Sequence, residues 1–352
     1  MAIIDDPSAY FQTTLYTGNG GTNAITNTGN SDLQPDWIWF KRRDGADNHI
    51  VFDVVRGVTK AIYPDLDNLE DTLSNSLSSF NSDGFTLGAD TASGGSINGS
   101  SETCVAWQWK AGTSVSGTTT GSGTGKAYTG SVNTDAGFSI IRYLGNSSAG
   151  HTIPHHLGAV PKMIIGHGLT GSDTTSWTVY HQSLGATKTV SLNERAAAST
   201  STVWNNTTPT SSVVSLGSSG NVNDNDDAFI LYSFAEKQGY SKISSYVGNG
   251  NADGTFVYTG FKPAWLMAFH TTAGNENWML VDNKRDGFNV ENEQLFPNTN
   301  IAEESNDEVD LLSNGFKLRR ANTRMNGSGA TYIFMAFAEN PFVASNFVTT
   351  TA

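Results

Sequence analysis

The run Thr331-Tyr332-Ile333-Phe334-Met335-Ala336-Phe337-Ala338-Glu339 has two relatives in the same chain, Ala228-Phe229-Ile230-Leu231-Tyr232-Ser233-Phe234-Ala235-Glu236 and Thr103-Cys104-Val105-Ala106-Trp107-Gln108-Trp109. Each is short, apolar and rich in aromatic and β-branched residues, which is the composition of a strand at the centre of a sheet. A segment that recurs three times must be followed outward before any element is assigned, because an overlooked repeat misreads the whole fold.

Four further phrases accompany it in constant order. The opening phrase is Tyr16-Thr17-Gly18-Asn19-Gly20, Tyr143-Leu144-Gly145-Asn146-Ser147 and Tyr246-Val247-Gly248-Asn249-Gly250. Its Gly-Asn-Gly core suits a tight turn with positive φ. The second phrase starts at Pro35-Asp36-Trp37-Ile38-Trp39-Phe40, Pro161-Lys162-Met163-Ile164-Ile165 and Pro263-Ala264-Trp265-Leu266-Met267. Proline there begins a strand without removing an interior ladder bond. The third is His49-Ile50-Val51-Phe52-Asp53, Trp177-Thr178-Val179-Tyr180-His181 and Trp278-Met279-Leu280-Val281-Asp282, running on to Gly57, Gly185 and Gly287. The fourth carries hairpin turns at Asp83-Gly84-Phe85 and Asn314-Gly315-Phe316, whereas the middle copy keeps only Ser212-Val213-Val214-Ser215-Leu216-Gly217.

Units of about a hundred residues with several short strands fit a β-sandwich or jelly roll. The expected fold class is therefore all-β, with three tandem sandwich domains. Their expected bounds are 1–112, including a short N-terminal attachment segment, 128–238, and 239–352 with a C-terminal tail. Residues 113–127, rich in Gly, Ser and Thr without apolar periodicity, read as a flexible linker. Only Lys237-Gln238-Gly239-Tyr240 joins the second and third copies, which implies a rigid pair with the first copy held apart.

Composition narrows the partners. A net charge of −13 opposes binding to a phosphate backbone, so nucleic acid is not an expected partner. The longest apolar runs fall far short of the roughly 20 residues that a helix needs to cross a bilayer, so membrane insertion is not expected. The N-terminus Met1-Ala2-Ile3-Ile4-Asp5-Asp6-Pro7 lacks a basic region followed by an apolar run, and synthesis in a cytoplasm is expected. The single cysteine, Cys104, lies in an apolar run and reads as a buried thiol.

Patterns that could carry chemistry are sparse. His151, His155, His156, His167 and His181 invite a metal reading, but adjacent His155 and His156 would face opposite ways in a strand and no cysteine completes a set. Asn221-Val222-Asn223-Asp224-Asn225-Asp226-Asp227 has the alternating oxygen ligands of a calcium loop, without its glycine or its closing glutamate, and a solvated loop is the alternative. Glu303-Glu304 and Asp307-Glu308 read as a solvent-facing charge run rather than a catalytic carboxylate pair. No nucleophile elbow or phosphate loop is present, so the chain is expected to be neither an enzyme nor a cofactor binder, and no catalytic or metal residue is assigned. Trp37, Trp39, Trp107 and Trp109 alternate as core residues, and Trp204 in Thr202-Val203-Trp204-Asn205-Asn206 is the candidate exposed contact.

Several of these phrases also carry a resemblance: Tyr10-Phe11-Gln12-Thr13-Thr14-Leu15-Tyr16-Thr17-Gly18-Asn19-Gly20, Ser82-Asp83-Gly84-Phe85, Val105-Ala106-Trp107-Gln108-Trp109-Lys110-Ala111-Gly112, Gly239-Tyr240-Ser241-Lys242 and Met335-Ala336-Phe337-Ala338-Glu339-Asn340-Pro341-Phe342. With these the chain resembles tail or tail-fibre-like structural proteins of tailed bacteriophages of marine and cyanobacterial type, over nearly its whole length. The resemblance implies lectin-like β-sandwich units and a place in the virion, and it names no site residue. The expected role is a tail fibre or spike-type appendage, a homo-oligomer such as a trimer, with other virion proteins and a host-surface glycan or protein as partners. Two alternatives stay open: a capsid decoration, head-fibre or tail-adaptor protein that binds only virion proteins, and, ranked last, an enzyme that degrades surface polysaccharide.

Overall fold

The computed structural model describes residues 3–90, 96–171 and 174–342. Each copy folds four of its phrases into an antiparallel sheet with one strand order: opening, closing, second, third. In the first unit these strands are Phe11–Thr17, Thr103–Trp109, Trp37–Arg42 and Ile50–Asp53. In the second they are Phe138–Leu144, Ala228–Phe234, Met163–Gly168 and Thr178–His181, and in the third Ser241–Val247, Thr331–Pro341, Phe261–His270 and Met279–Asp282. The closing strand is thus interior to every sheet, as its apolar composition requires. The chain is all-β, with only two single-turn helical pieces among the described residues, at Pro7–Ala9 and Gly220–Asn223.

A second sheet covers one face of each of these four-strand sets, which in the second unit belong to a sheet of eight strands. It contains Asn23–Ile25, Phe85–Leu87 and Leu77–Phe80 in the first unit, and Thr120–Gly121, His151–Pro154 and Val213–Leu216 in the second. In the third unit it contains Phe256–Tyr258, Gly315–Leu318, Glu304–Leu312 and Glu291–Gln294. Between the two layers lie local cores, for example Ile38, Phe40, Phe52 and Phe85 in the first unit and Leu266, Val281, Phe316 and Phe334 in the third.

The opposite faces of the three inner sheets meet in one common core. Trp37, Trp39, Trp107 and Trp109 pack there with Met163, Ile165, Tyr232 and Phe234 of the second unit and with Trp265, Met267, Met335 and Phe337 of the third. The ring of Trp37 lies 4.8 Å from that of Tyr232, and Trp109 meets Trp265 edge-on at 5.5 Å. Successive residues of one strand point to opposite faces. Here both faces are buried, which is why these strands read as unbroken apolar runs rather than alternating ones.

Two expectations are corrected. Residues 113–127 are not a free linker: Thr113–Thr118 is a strand paired with Ala127–Asn133, which extends the second inner sheet, and Thr120–Gly121 pairs with His151–Pro154. The first unit is not held apart, because it shares the common core with the other two. The expected C-terminal tail after Phe342 lies outside the described residues, as do Met1 and Ala2.

Candidate functional site

Each unit is closed at one end by a tyrosine and an asparagine. The hydroxyls of Tyr16 and Tyr246 donate to the carbonyls of Ile97 and Met325 at 2.7 and 2.9 Å, and Tyr143 donates to that of Val222. The next residue is in each case a fully buried asparagine, Asn98, Asn326 or Asn223. Its side-chain oxygen accepts from the backbone N–H of Asn19, Asn249 or Asn146 at 2.9–3.1 Å, and its amide donates to loop carbonyls. Buried amides are tolerated only when paired in this way. The first glycine of the opening phrase is required by close approach, while the residue two places on, Gly20, Ser147 or Gly250, takes the positive φ expected of the turn. A Cβ on Gly18, Gly145 or Gly248 would lie 2.2, 2.0 or 2.4 Å from the carbonyl oxygen that follows the asparagine. Within one copy the sequence gives no clasp role to these asparagines, Asn223 reading as part of a calcium-type loop, although each stands five residues before its closing strand.

The seams between units repeat a second set of contacts in a constant sense around the core. The indole of Trp177 donates to the carbonyl of Tyr63 in the first unit at 2.9 Å, and that of Trp278 to Ser191 in the second at 2.9 Å. The equivalent His49 of the first unit lies near the Phe296 carbonyl of the third. Its Nδ1 accepts from Trp39 at 2.9 Å, and burial holds its pKa well below the usual histidine value. The backbone N–H groups of His49, Trp177 and Trp278 are held by Asp65, Asn193 and Asn298 at 3.0 Å.

Further inside, Tyr232 donates to Asp53 at 2.7 Å from the second unit to the first, and Trp107 donates to Asp282 at 2.9 Å from the first to the third. Asp53 and Asp282 each hold the arginine three residues on, Arg56 and Arg285, at 2.6 Å, with both partners fully buried. The third seam differs. Met335 stands where Trp107 and Tyr232 stand and offers no donor, and His181 replaces the aspartate, donating instead to the Phe334 carbonyl at 3.3 Å. Glu303 joins two units, binding Arg43 of the first at 2.6 Å and Arg285 of the third at 2.9 Å.

At the strand ends beside these turns each seam opens into a pocket built from equivalent positions. Between the third and first units it is lined by Gln12, Thr13, Asn283, Lys284 and Glu339, and between the first and second by Gln34, Asp36, Val54 and Ser131. Between the second and third it is lined by Lys162, Gln182, Glu236, Lys237, Lys242 and Tyr258. The position after the phrase-two proline is Asp36, Lys162 or Ala264, so one geometry carries three different chemistries.

A family model described as a domain of unknown function, DUF7483, matches residues 6–341. The chain belongs to this family. No curated protein and no solved structure matches it. The DUF7483 match runs through all three units.

Within this DUF7483 body the histidines do not converge, and no group of three metal-binding side chains occurs among the described residues. Buried His151 contacts Asn223 at 2.8 Å and Thr119 at 2.6 Å, His155 faces the Thr210 carbonyl, and His167 faces that of Asn68. Burial lowers the pKa of His155 and His181 to about 4 and that of His167 to about 3. In the segment Asn221–Asp227, Asn223 turns inward as a clasp and Asp226 pairs with Lys126.

Two further expectations are corrected. Trp204 is fully buried against Tyr180 and is not an exposed contact. Glu303 and Glu308 are not solvent-facing: Glu303 bridges units, and buried Glu308 accepts from Asn322 at 2.6 Å. The large apolar side chains that do face solvent include Phe256, Tyr258 and Phe288.

Proposed function

We propose that the chain is a non-catalytic structural part of a bacteriophage virion, a tail fibre or spike-type appendage that meets the host surface through its seams and loops. The observation that carries this reading is the closed body of three units on one core. Its buried charges, Asp53 with Arg56 and Asp282 with Arg285 and Glu303, hold turns and seams together. A rigid body of this kind holds surface pockets and loops in fixed positions while their side chains vary from unit to unit.

A second reading, a capsid decoration or tail-adaptor protein that binds only virion proteins, is favoured by exposed Phe256 and Phe288, apolar contacts suited to a protein neighbour. Gold-labelled antibody on intact virions, combined with binding of the purified chain to host cells, separates the two. Label at the tail with saturable cell binding supports the first reading. Label on the capsid without cell binding selects the second, and virions without label reject both.

A further inference from the structure

The seam between the second and third units differs from the other two in charge and in aromatic exposure. Its cavity, of about 620 Å³, is lined by Lys162, Lys237 and Lys242 with one acid, Glu236, a local balance of three positive charges against one negative. The pocket between the third and first units balances Lys284 against Glu339, and the pocket between the first and second holds Asp36 as its one charged group. The whole chain carries 20 Lys and Arg against 33 Asp and Glu, so a cationic pocket runs against its general composition. Lys242 is held by Glu236 at 2.7 Å, whereas Lys162 and Lys237 have no ion-pair partner among the described residues. Both are half-buried, so their stems are held by the fold.

Tyr258 adds the second component. It is 59% exposed, on the edge strand Phe256–Tyr258, and it lines the same cavity. An amphipathic ring in this setting offers a flat apolar face to one side of a sugar and a hydroxyl at its rim. Gln182 lines the cavity from the opposite unit, its amide nitrogen donating across the seam to the Ile243 carbonyl.

From this combination we infer that the pocket between the second and third units binds an acidic saccharide, a uronic acid or similarly carboxylated sugar, with Lys162 and Lys237 facing its carboxylate and Tyr258 beneath its ring. Charge-assisted contacts to a carboxylate are stronger than neutral ones, and a partly enclosed site screens them less than open surface does. The inference rests on the host-contact reading and gives that contact a chemical class.

The test is calorimetric titration of the full chain with an oligo-uronate and with its uncharged methyl ester. The uronate is expected to bind, to weaken with added salt, and to bind at least tenfold more tightly than the ester. Lys162→Gln with Lys237→Gln, and separately Tyr258→Ala, are expected to reduce uronate affinity at least tenfold while the urea midpoint stays unchanged. No uronate binding by the wild type, equal binding of the ester, or unaltered affinity in the double variant overturns the inference. Host-cell adsorption is scored in parallel. Adsorption that uronate does not compete away sinks the pocket assignment and leaves the host-contact reading standing. Uronate binding by a chain that labels no virion sinks the virion reading and leaves the pocket.

Discussion

Replacing Asp282 with alanine should destabilise the whole body, not the third unit alone. Its Oδ1 accepts from the backbone of Lys284 at 3.0 Å and of Arg285 at 3.1 Å, and its Oδ2 accepts from Arg285 Nε at 2.6 Å and Trp107 Nε1 at 2.9 Å. Neither Asp282 nor Arg285 has any exposed side-chain surface. Removing one partner of such a buried pair costs about 3–5 kcal/mol, because the remaining charge keeps its desolvation penalty. Glu303 stays on Arg285 and sets the loss toward the lower end of that range.

For a chain of this length an unfolding entropy near 2 cal/mol/K per residue converts the loss into a fall of roughly 4–7 °C in Tm. Asp282→Asn should not rescue it, since an amide nitrogen would confront the Arg285 and Trp107 side-chain donors in one orientation and the Lys284 and Arg285 backbone N–H groups in the other. Asp282→Ala combined with Arg285→Met should cost less than Asp282→Ala alone, because the buried guanidinium that has lost Asp282 is gone and what remains unpaired are neutral donors, the Trp107 N–H and the backbone N–H groups that Asp282 held, worth about 1–3 kcal/mol each where buried. Urea unfolding followed by tryptophan fluorescence measures each term, and the common core predicts one transition for every variant. A loss below about 1 kcal/mol for Asp282→Ala, a double variant worse than the single, or separate melting of the third unit would refute the reasoning.

Other outcomes follow from single groups. Asn326→Ala should cost about 2–3 kcal/mol in the same assay, because it strips a partner from the Asn249 N–H and the Asn251 carbonyl inside the clasp. Cys104 is buried and its pKa is pushed up to about 12, chiefly by desolvation, so a thiol reagent at pH 8 should label it only after denaturant is added. Glu291 is buried and its pKa is raised to about 8, first by desolvation and then by Asp282 and Asp286. A raised carboxyl pKa means that the folded state holds the proton more tightly, so this group's contribution is full below about pH 4.5 and is lost as pH rises through 8. Glu291→Gln should therefore raise the urea midpoint at pH 8.5 and leave it unchanged at pH 5. The histidines act in the opposite sense: with folded pKa values of about 3–4, His155, His167 and His181 withdraw stability as pH falls below about 6.5. His167→Gln should flatten that acid limb in a pH series of unfolding midpoints.

Local strand character was legible in the sequence, and the company each strand keeps was not. Trp265-Leu266-Met267-Ala268-Phe269 reads as a buried strand, but a run apolar at every position does not say that Trp265, Met267 and Phe269 face two other units while Leu266 and Ala268 face the strand's own outer sheet. Thr113–Thr118 reads as a linker because it is an exposed edge strand, held by backbone pairing that leaves no apolar period. Trp204 has polar neighbours in sequence and apolar ones in space. Glu303 reads as a solvated charge because one of its two arginines, Arg43, lies 260 residues away. The clasp asparagines could have been found, since Asn98, Asn223 and Asn326 keep one spacing to their strands. The seam pockets could not, because each is assembled from positions that are neighbours only once the units close on one another.

Joining three related units in one chain also changes what mutation can do. In an assembly of three identical copies, one substitution alters every interface at once, and a donor lost from one seam is lost from all. Here Trp107 meets Asp282, Tyr232 meets Asp53, and Met335 meets a seam from which the aspartate has gone. Each junction has been free to change with its own partner, and the three pockets beside them can diverge in charge without disturbing the frame that holds them.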